Sequence, residues 1–251
     1  MTVDEKKLLL SAASKGIAMG NTDLEHLSNT AAVSNYIRIA DEIKKILGQN
    51  KKILDWGCGY GQMTFLLKNR GYRCGEDIIA YDVVKRNCIE KIQPFSELPI
   101  IYGHPADEKL LFENNTFNAV LSCGTLEHVA NPDFSLDEIR RILKPDGLFL
   151  IYMLPSRFSW SEKIAEIRGI SSHPVKYTKK SIRQMLRQHN FEILKLKSRN
   201  FLPKNLTGLP SIIKNFYGAL GKPLLFMDAI LSSVPPINLF CGTFEIIAKK
   251  T

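Results

Sequence analysis

The sequence has few cysteines, and their spacing argues against two kinds of stabilising site. Its 251 residues include five cysteines, at positions 58, 74, 88, 123 and 241, and none of them forms a Cys-x-x-Cys pair. An odd number of cysteines without that spacing does not indicate a disulfide framework or structural zinc. We therefore assign no metal ligands from the sequence.

Long apolar segments are also missing. The first seven residues carry charges of both signs, and Leu8-Leu9-Leu10 is too short for the apolar region of a signal peptide. The most apolar stretch, 223–240, is interrupted by Asp228 and Pro235-Pro236, so it predicts no comfortable membrane span. We expect a cytoplasmic protein.

Positive charge is concentrated in one stretch of the chain. Of a net charge of +9, residues 176–204 contribute +8, because nine lysines and arginines stand there against Glu192. Such a stretch suits nucleic acid, anionic lipid or an acidic substrate, or it is a solvated surface. No stacking aromatics are interleaved and no known nucleic-acid module is present, so a nucleic-acid partner is not expected.

A glycine-rich turn follows the first apolar run. Residues 53–61 read Ile-Leu-Asp-Trp-Gly-Cys-Gly-Tyr-Gly, and a helix-forming run begins at Gln62. A dinucleotide fingerprint needs its third glycine at position 62, where glutamine stands instead. Asp55 would also repel a pyrophosphate. The turn therefore favours a cationic ligand over one with two phosphates.

The string Leu-Asp-Trp-Gly-Cys-Gly-Tyr-Gly resembles the first motif of class I S-adenosylmethionine-dependent methyltransferases. The resemblance implies S-adenosylmethionine as cofactor and S-adenosylhomocysteine as product. It assigns Asp55, Gly57, Cys58 and Gly59 to cofactor binding. For Cys58, ordinary packing is the alternative.

Two further acidic segments follow in the family's order. Asp82 ends the apolar run 78–82 and corresponds to the family's acid that accepts both ribose hydroxyls. Asp77 is a second candidate, because the chain is longer than usual just before this run. Asp107 or Glu108 matches the acidic loop beside the adenine, and the sequence leaves open which of them makes that contact.

The segment after the fourth predicted strand carries the candidate general base. Ser122 ends that strand and is assigned to the cofactor, and Cys-Gly-Thr-Leu-Glu-His-Val follows, similar to type 11 methyltransferase domains. The ordinary pKa of histidine, near ~6.5, suits His128 to proton removal at neutral pH. A histidine there can instead orient the loop, and His173 and Tyr177 are alternative bases.

The resemblance covers roughly residues 35–154 and predicts one α/β domain over 1–251. The expected fold is a Rossmann-like, seven-stranded class I methyltransferase sheet. Helices would cover both faces, the last strand would be antiparallel, and a helical cap would be inserted before it. Its parts are N-terminal helices at 1–48, a cofactor-binding core at 51–154, and acceptor-side insertions at 155–177 and 201–242.

The identity of the methyl acceptor stays open at this point. Runs in both insertions are similar to methyltransferases of bacterial surface-polysaccharide and lipid-linked sugar synthesis, which makes O-methylation of a saccharide or lipid-linked small molecule the first expectation. A lipid or quinone-like acceptor is the second, and a non-catalytic cofactor-binding scaffold is the third. Residues 201–242 and the basic stretch 176–204 also predict peripheral contact with a membrane surface.

Overall fold

The computed structural model describes residues 4–104, 109–169, 173–204 and 211–251. Seven strands form one sheet between two layers of helices. The strands are β1 Ile53–Trp56, β2 Ile78–Asp82, β3 Ile100–Tyr102, β4 Phe117–Cys123, β5 Leu143–Pro155, β6 Phe191–Arg199 and β7 Thr243–Lys250. The helices are α1 Glu5–Ala18, α2 Thr30–Leu47, α3 Gln62–Lys68, α4 Pro132–Ile142, α5 Trp160–Ile167, α6 Lys179–Gln188 and α7 Ser211–Leu231.

The sheet has the predicted topology. Its strand order is β3-β2-β1-β4-β5-β7-β6, and β7 is antiparallel to both neighbours. The order reverses at β1 and β4, so the segments that follow β1, β2 and β4 meet at one edge of the sheet. In open α/β sheets such a point is where ligands bind. The seven-stranded fold and its antiparallel last strand are confirmed.

Helix α2 shows how the sequence builds one of the two layers. The side chain of Asn29 caps it by accepting from the Ala32 N–H at 2.9 Å, and Gly48 ends it at φ +68°. Its buried positions recur every three or four residues and join the core on one sheet face. Helix α6 buries Ile182 and Leu186 in the core of the opposite face.

Two local expectations differ from the structure. Residues 144–147 read Lys-Pro-Asp-Gly, a composition that predicts a turn, but they lie within β5, where the pairing with β4 shifts register between Phe117 and Ala119. This register shift is a β-bulge that accommodates Asp146 at φ +58°. The strand therefore continues through residues that favour turns. In the expected cap, the sequence predicts separate helical pieces on either side of Pro223, but the structure has one helix there, α7, with Pro223 inside it. Within the described residues, no helix combines the length and apolar character needed to cross a membrane.

A buried ion pair within the cap lies next to a hydrogen bond that joins the cap to the start of α2. Lys204 Nζ lies 3.0 Å from Asp228 Oδ2 of α7, and both side chains are buried. The carbonyl of Lys204 accepts from Asn29 Nδ2 at 3.1 Å, and Asp228 Oδ1 accepts from the Leu202 N–H at 2.7 Å. The start of α2, the loop after β6 and α7 therefore meet at one point.

The basic stretch 176–204 has fewer unpaired positive charges than its composition suggests. Lys195 pairs with Glu42 at 2.6 Å, Arg199 with Glu245 at 3.1 Å, and Lys176 with Glu166 at 2.6 Å. Lys204 is buried in the ion pair described above. Ion pairs with distant acids therefore neutralise part of the local +8, and the basic side chains of α6 form the largest remaining group.

Candidate cofactor-binding and catalytic site

The glycine turn brings its backbone close to the end of the sheet. The N–H groups of Gly57 and Cys58 both donate to the Tyr81 carbonyl, at 2.9 and 3.0 Å. Gly57 adopts φ +69°, and an added Cβ there would lie 2.1 Å from Thr125 Cγ2. Gly59 and Gly61 also have positive φ, at +60° and +84°. The turn therefore needs glycine both for conformation and for space.

Asp82 holds the turn and still has capacity for a ligand. Its Oδ2 accepts from the Gly59 N–H at 2.7 Å and its Oδ1 from the Val84 N–H at 2.9 Å. A carboxylate has about four lone-pair sites, so each oxygen can accept one more hydrogen bond. Asp77 lies before β2 and is paired with Arg73, whose Nε and Nη2 are each 3.0 Å from its carboxylate. Asp82 is thus the acid at the carboxyl end of β2.

Asp55 contacts the helix that follows the turn. Its side chain is buried, and Oδ2 accepts from the Thr64 N–H at 3.1 Å and from Thr64 Oγ1 at 2.7 Å. The first of these bonds satisfies a backbone N–H in the first turn of α3 that has no partner within the helix. Burial raises the pKa of Asp55 to about 6, the charge of Asp82 adds to this, and the hydrogen bonds from Thr64 oppose it.

We expect Asp55→Asn to stabilise the cofactor-free protein at neutral pH. Because the pKa of Asp55 rises from 3.8 unfolded to about 6 folded, its stabilising contribution is full below pH 3.8 and is lost as the pH rises through 6. Asparagine can still accept from Thr64 and does not ionise. The free energy of unfolding in urea should rise at pH 7.5 by up to about 3 kcal/mol, and by less at pH 4.5. A variant no more stable than wild type at pH 7.5 would contradict this.

The other predicted cofactor residues occupy different positions. Ser122 pairs with Trp56 of β1 in register, and its buried Oγ has no hydrogen-bond partner among the described residues. Cys58 is buried in the turn, its Sγ lies 3.9 Å from the Gly59 carbonyl oxygen, and burial raises its pKa. Asp107 and Glu108 lie outside the described residues.

The candidate base belongs to a small cluster. His128 ends a short 3-10 turn after β4 and is exposed, whereas the adjacent Glu127 is only 1% exposed. His173, from the insertion after β5, brings its ring centroid to 6.0 Å from that of His128. Tyr177, the other alternative base, is buried in the core. Its backbone N–H donates to the Pro155 carbonyl, and its carbonyl accepts from the Arg157 N–H.

Burial and neighbouring charges shift the pKa values of this cluster. Burial lowers the pKa of His128, and the nearby His173 lowers it further. Burial raises the pKa of Glu127 to about 7, although His173 opposes this. Burial alone would lower the pKa of His173, but Glu162, whose Oε2 lies 3.1 Å from Nδ1, raises it overall. Neutral His128 is therefore favoured near pH 7, as a proton acceptor requires.

Sequence reasoning missed several residues at this edge of the sheet. The Tyr36 side chain of α2 is buried, and Gln62, Asp55 and Glu127 all influence the pKa of its hydroxyl. Thr125 Oγ1 lies 3.2 Å from the Trp56 carbonyl and 3.3 Å from that of Gly57. Burial raises the pKa of Tyr36, so this hydroxyl stays protonated. The helical periodicity of α2 predicts that Tyr36 is buried. It does not predict which buried residue of α2 lies near the glycine turn.

These features fit the cofactor that the first motif implies. The cradle excludes a side chain at Gly57, the Asp82 carboxylate retains accepting capacity, and Ser122 offers a buried hydroxyl. A ligand with ribose hydroxyls and a cationic centre suits a carboxylate-lined turn of this kind.

Comparisons with known proteins agree with this geometry. A family model described as "Methyltransferase domain" matches residues 30–196, about two thirds of the chain. The ubiquinone biosynthesis O-methyltransferase of Roseobacter denitrificans is 38% identical over 99 residues, which is 39% of this chain and 38% of that protein. The chain thus matches about two fifths of the length of this relative.

Solved structures show the same fold at low identity. A SAM-dependent methyltransferase from Thermotoga maritima superposes with a TM-score of 0.57 at 17% identity, covering 85% of this chain and 88% of that one. The 1,6-didemethyltoxoflavin-N1-methyltransferase of Burkholderia thailandensis, solved with S-adenosylhomocysteine, gives 0.52 at 17% identity, covering 86% and 78%.

Proposed function

Because the chain belongs to the methyltransferase domain family, we propose that it transfers a methyl group from S-adenosylmethionine to a hydroxyl oxygen of a small, quinone-like acceptor. The observation that carries this proposal is the glycine cradle beside Asp82, where an added Cβ at Gly57 has no room. The sulfonium of the cofactor supplies an activated methyl group.

The chain's own residues have two tasks in this reaction. The backbone of Gly57 and Gly59 lets the cofactor approach closely, and Asp82 would accept from its ribose hydroxyls. His128 would assist removal of the acceptor hydroxyl's proton. Since the methyl group arrives activated, alignment and exclusion of water supply most of the remaining effect.

Two observations favour a quinone-like acceptor over a saccharide. The relative named above is a ubiquinone biosynthesis O-methyltransferase, whereas the first expectation from the sequence was a saccharide. The insertion that carries His173 also exposes the apolar side chains of Phe158, Ile164 and Ile167. Exposed apolar side chains on the insertion that also supplies His173 suit an aromatic ring better than a polyhydroxylated sugar.

Calorimetry followed by methyl transfer tests the proposal. We expect saturable binding of S-adenosylhomocysteine, followed by transfer of a labelled methyl group onto hydroxylated quinone precursors but not onto envelope saccharides. Transfer onto saccharides alone would restore the first expectation. Binding without transfer to either class would favour the non-catalytic scaffold, and absence of binding would overturn all methyltransferase readings.

For the membrane, we propose contact through α7 rather than through the basic stretch. Helix α7 contacts α2 in one layer, whereas α6 lies in the other, so both surfaces cannot face one flat bilayer equally. Along α7, Phe216, Phe226 and Met227 are more than half exposed.

We expect wild-type protein to float with liposomes and Phe226→Asp to remain at the bottom of the gradient, because a charge at this site opposes burial among acyl chains. Leu111→Asp is the matched control, since Leu111 is 59% exposed and Phe226 69%, but Leu111 lies outside α7. Flotation unchanged in Phe226→Asp, or lost equally in both variants, would contradict contact through α7.

A further inference from the structure

Three side chains from two chain segments converge beside the glycine turn. Glu127 and His128 stand on the 3-10 turn after β4, and His173 comes from the insertion after β5. One potential metal-ligand atom from each residue lies within 4.8 Å of the other two. Nothing in the local sequence pattern links His173 to the other two residues, because 45 positions separate it from His128.

Within the described part of the chain, one carboxylate oxygen of Glu127 has no partner, although its own backbone N–H and the charge of His173 both favour the ionised carboxylate. The Glu127 side chain is 1% exposed, and its Oε2 has no hydrogen-bond partner among the described residues. A buried carboxylate without a partner is costly unless it is paired or binds a cation. His173 and Glu162 form an ion pair with each other, whereas Oε2 of Glu127 has no partner among the described residues.

The donor set indicates the kind of ion. Two imidazole nitrogens and one carboxylate oxygen suit first-row divalent transition metals better than Mg²⁺ or Ca²⁺, which prefer oxygen ligands. Metal-binding histidines usually donate their other ring N–H to a carboxylate. Glu162 Oε2, 3.1 Å from His173 Nδ1, can serve in this way.

We propose that Glu127, His128 and His173 bind one divalent first-row transition-metal ion, and that this ion binds the oxygen of the acceptor. Three protein ligands leave coordination positions open for a substrate, as in catalytic metal sites. The neighbouring Thr125 contacts Gly57, so the ion would lie beside the cofactor cradle. The second half of the proposal rests on the proposed function, because it assumes an oxygen acceptor.

The metal changes the task assigned to His128. The ion would stabilise the oxyanion left when the acceptor hydroxyl gives its proton to water. That oxygen forms the new C–O bond, the C–S bond breaks, and its electron pair stays on sulfur as a neutral thioether. His128 would then act by holding the ion rather than by accepting the proton.

Calorimetry on untagged protein tests metal binding apart from activity. The protein is treated with EDTA, saturated with S-adenosylhomocysteine and titrated with Mn²⁺ or Zn²⁺. We expect one ion per wild-type chain, affinity lower by at least about 100-fold in His173→Ala, and about 10-fold lower in Glu162→Gln. His189→Ala is the control, since His189 contacts Asp133 and Asp137 at 3.0 and 2.7 Å, outside the cluster.

Each outcome has a defined meaning. Unchanged S-adenosylhomocysteine affinity shows that a variant is folded. If His173→Ala does not fold, Glu162→Gln is the variant that tests the site. Lack of ion binding by wild type, or equal affinity in all variants, overturns the site. Undiminished methyl transfer in EDTA-treated protein overturns the role of the ion at the acceptor and leaves the proposed function standing. Metal binding without methyl transfer onto any acceptor contradicts the proposed function and leaves the metal site standing.

Discussion

Replacing Gly57 by alanine is expected to abolish cofactor binding. The new Cβ would lie 2.1 Å from Thr125 Cγ2, and Thr125 is held by contacts with the carbonyls of Trp56 and Gly57. Relief requires either the turn or Thr125 to move, and both border the proposed cofactor site. Calorimetric affinity for S-adenosylhomocysteine should fall by at least about 100-fold, with loss of transferase activity in proportion; on the tenfold-per-1.4 kcal/mol scale this is about 3 kcal/mol.

A matched glycine separates backbone strain from crowding. Gly48 has φ +68°, close to the +69° of Gly57, but an added Cβ there has no atom within 4 Å. Gly48→Ala should therefore lower the free energy of unfolding by about 1–3 kcal/mol and leave cofactor affinity unchanged. If Gly57→Ala binds cofactor as well as Gly48→Ala does, the turn is not the cofactor cradle.

Replacing His128 by alanine is expected to lower turnover by about 10²–10⁴-fold, the range typical for loss of general acid–base assistance. Cofactor affinity should stay near wild type, because the side chain is exposed and lies beyond Thr125 rather than in the glycine turn. The loss is expected whether His128 accepts the proton or holds a metal ion, and the metal titration distinguishes these roles.

The control for this variant is His189→Ala, which removes an imidazole from a surface ion-pair cluster far along the chain. Its turnover should match wild type. Single-turnover measurements with saturating cofactor separate chemistry from binding. An unchanged rate in His128→Ala would remove His128 from the mechanism, and a parallel fall in cofactor affinity would indicate a structural role instead.

The cofactor turn could be predicted from sequence because its physics is local. Gly57, Gly59 and Gly61 adopt positive φ, which residues with a Cβ rarely do. The spacing of the glycines in the sequence therefore predicts this conformation. The acid Asp82 could be placed for a similar reason, since it ends an apolar run that had to be a strand. The sequence left Asp77 as a second candidate, and the structure places it before the strand, paired with Arg73.

The proposed catalytic side of the site could be predicted only in part, because His128 and His173 were candidate bases but their proximity to Glu127 was not expected. Tyr36, Glu127 and His173 come together only through packing between segments distant in sequence. The charge of the basic stretch 176–204 was overestimated for the same reason, because Lys195 and Arg199 form ion pairs with carboxylates on other elements. The acceptor-side role of the insertions stays a prediction, because no motif in residues 155–177 or 201–242 specifies the chemistry of an acceptor.

The buried pair of Lys204 and Asp228 has a consequence for exchange of acceptor specificity between homologous enzymes. The pair fixes α7 to the loop after β6, and the Lys204 carbonyl binds Asn29 at the start of α2. A transplanted segment 201–242 would carry both members of the ion pair, but it would lose the Asn29 side chain that donates to the buried Lys204 backbone carbonyl. The unit to exchange in a chimera is therefore discontinuous in sequence, and comprises α2 together with residues 201–242.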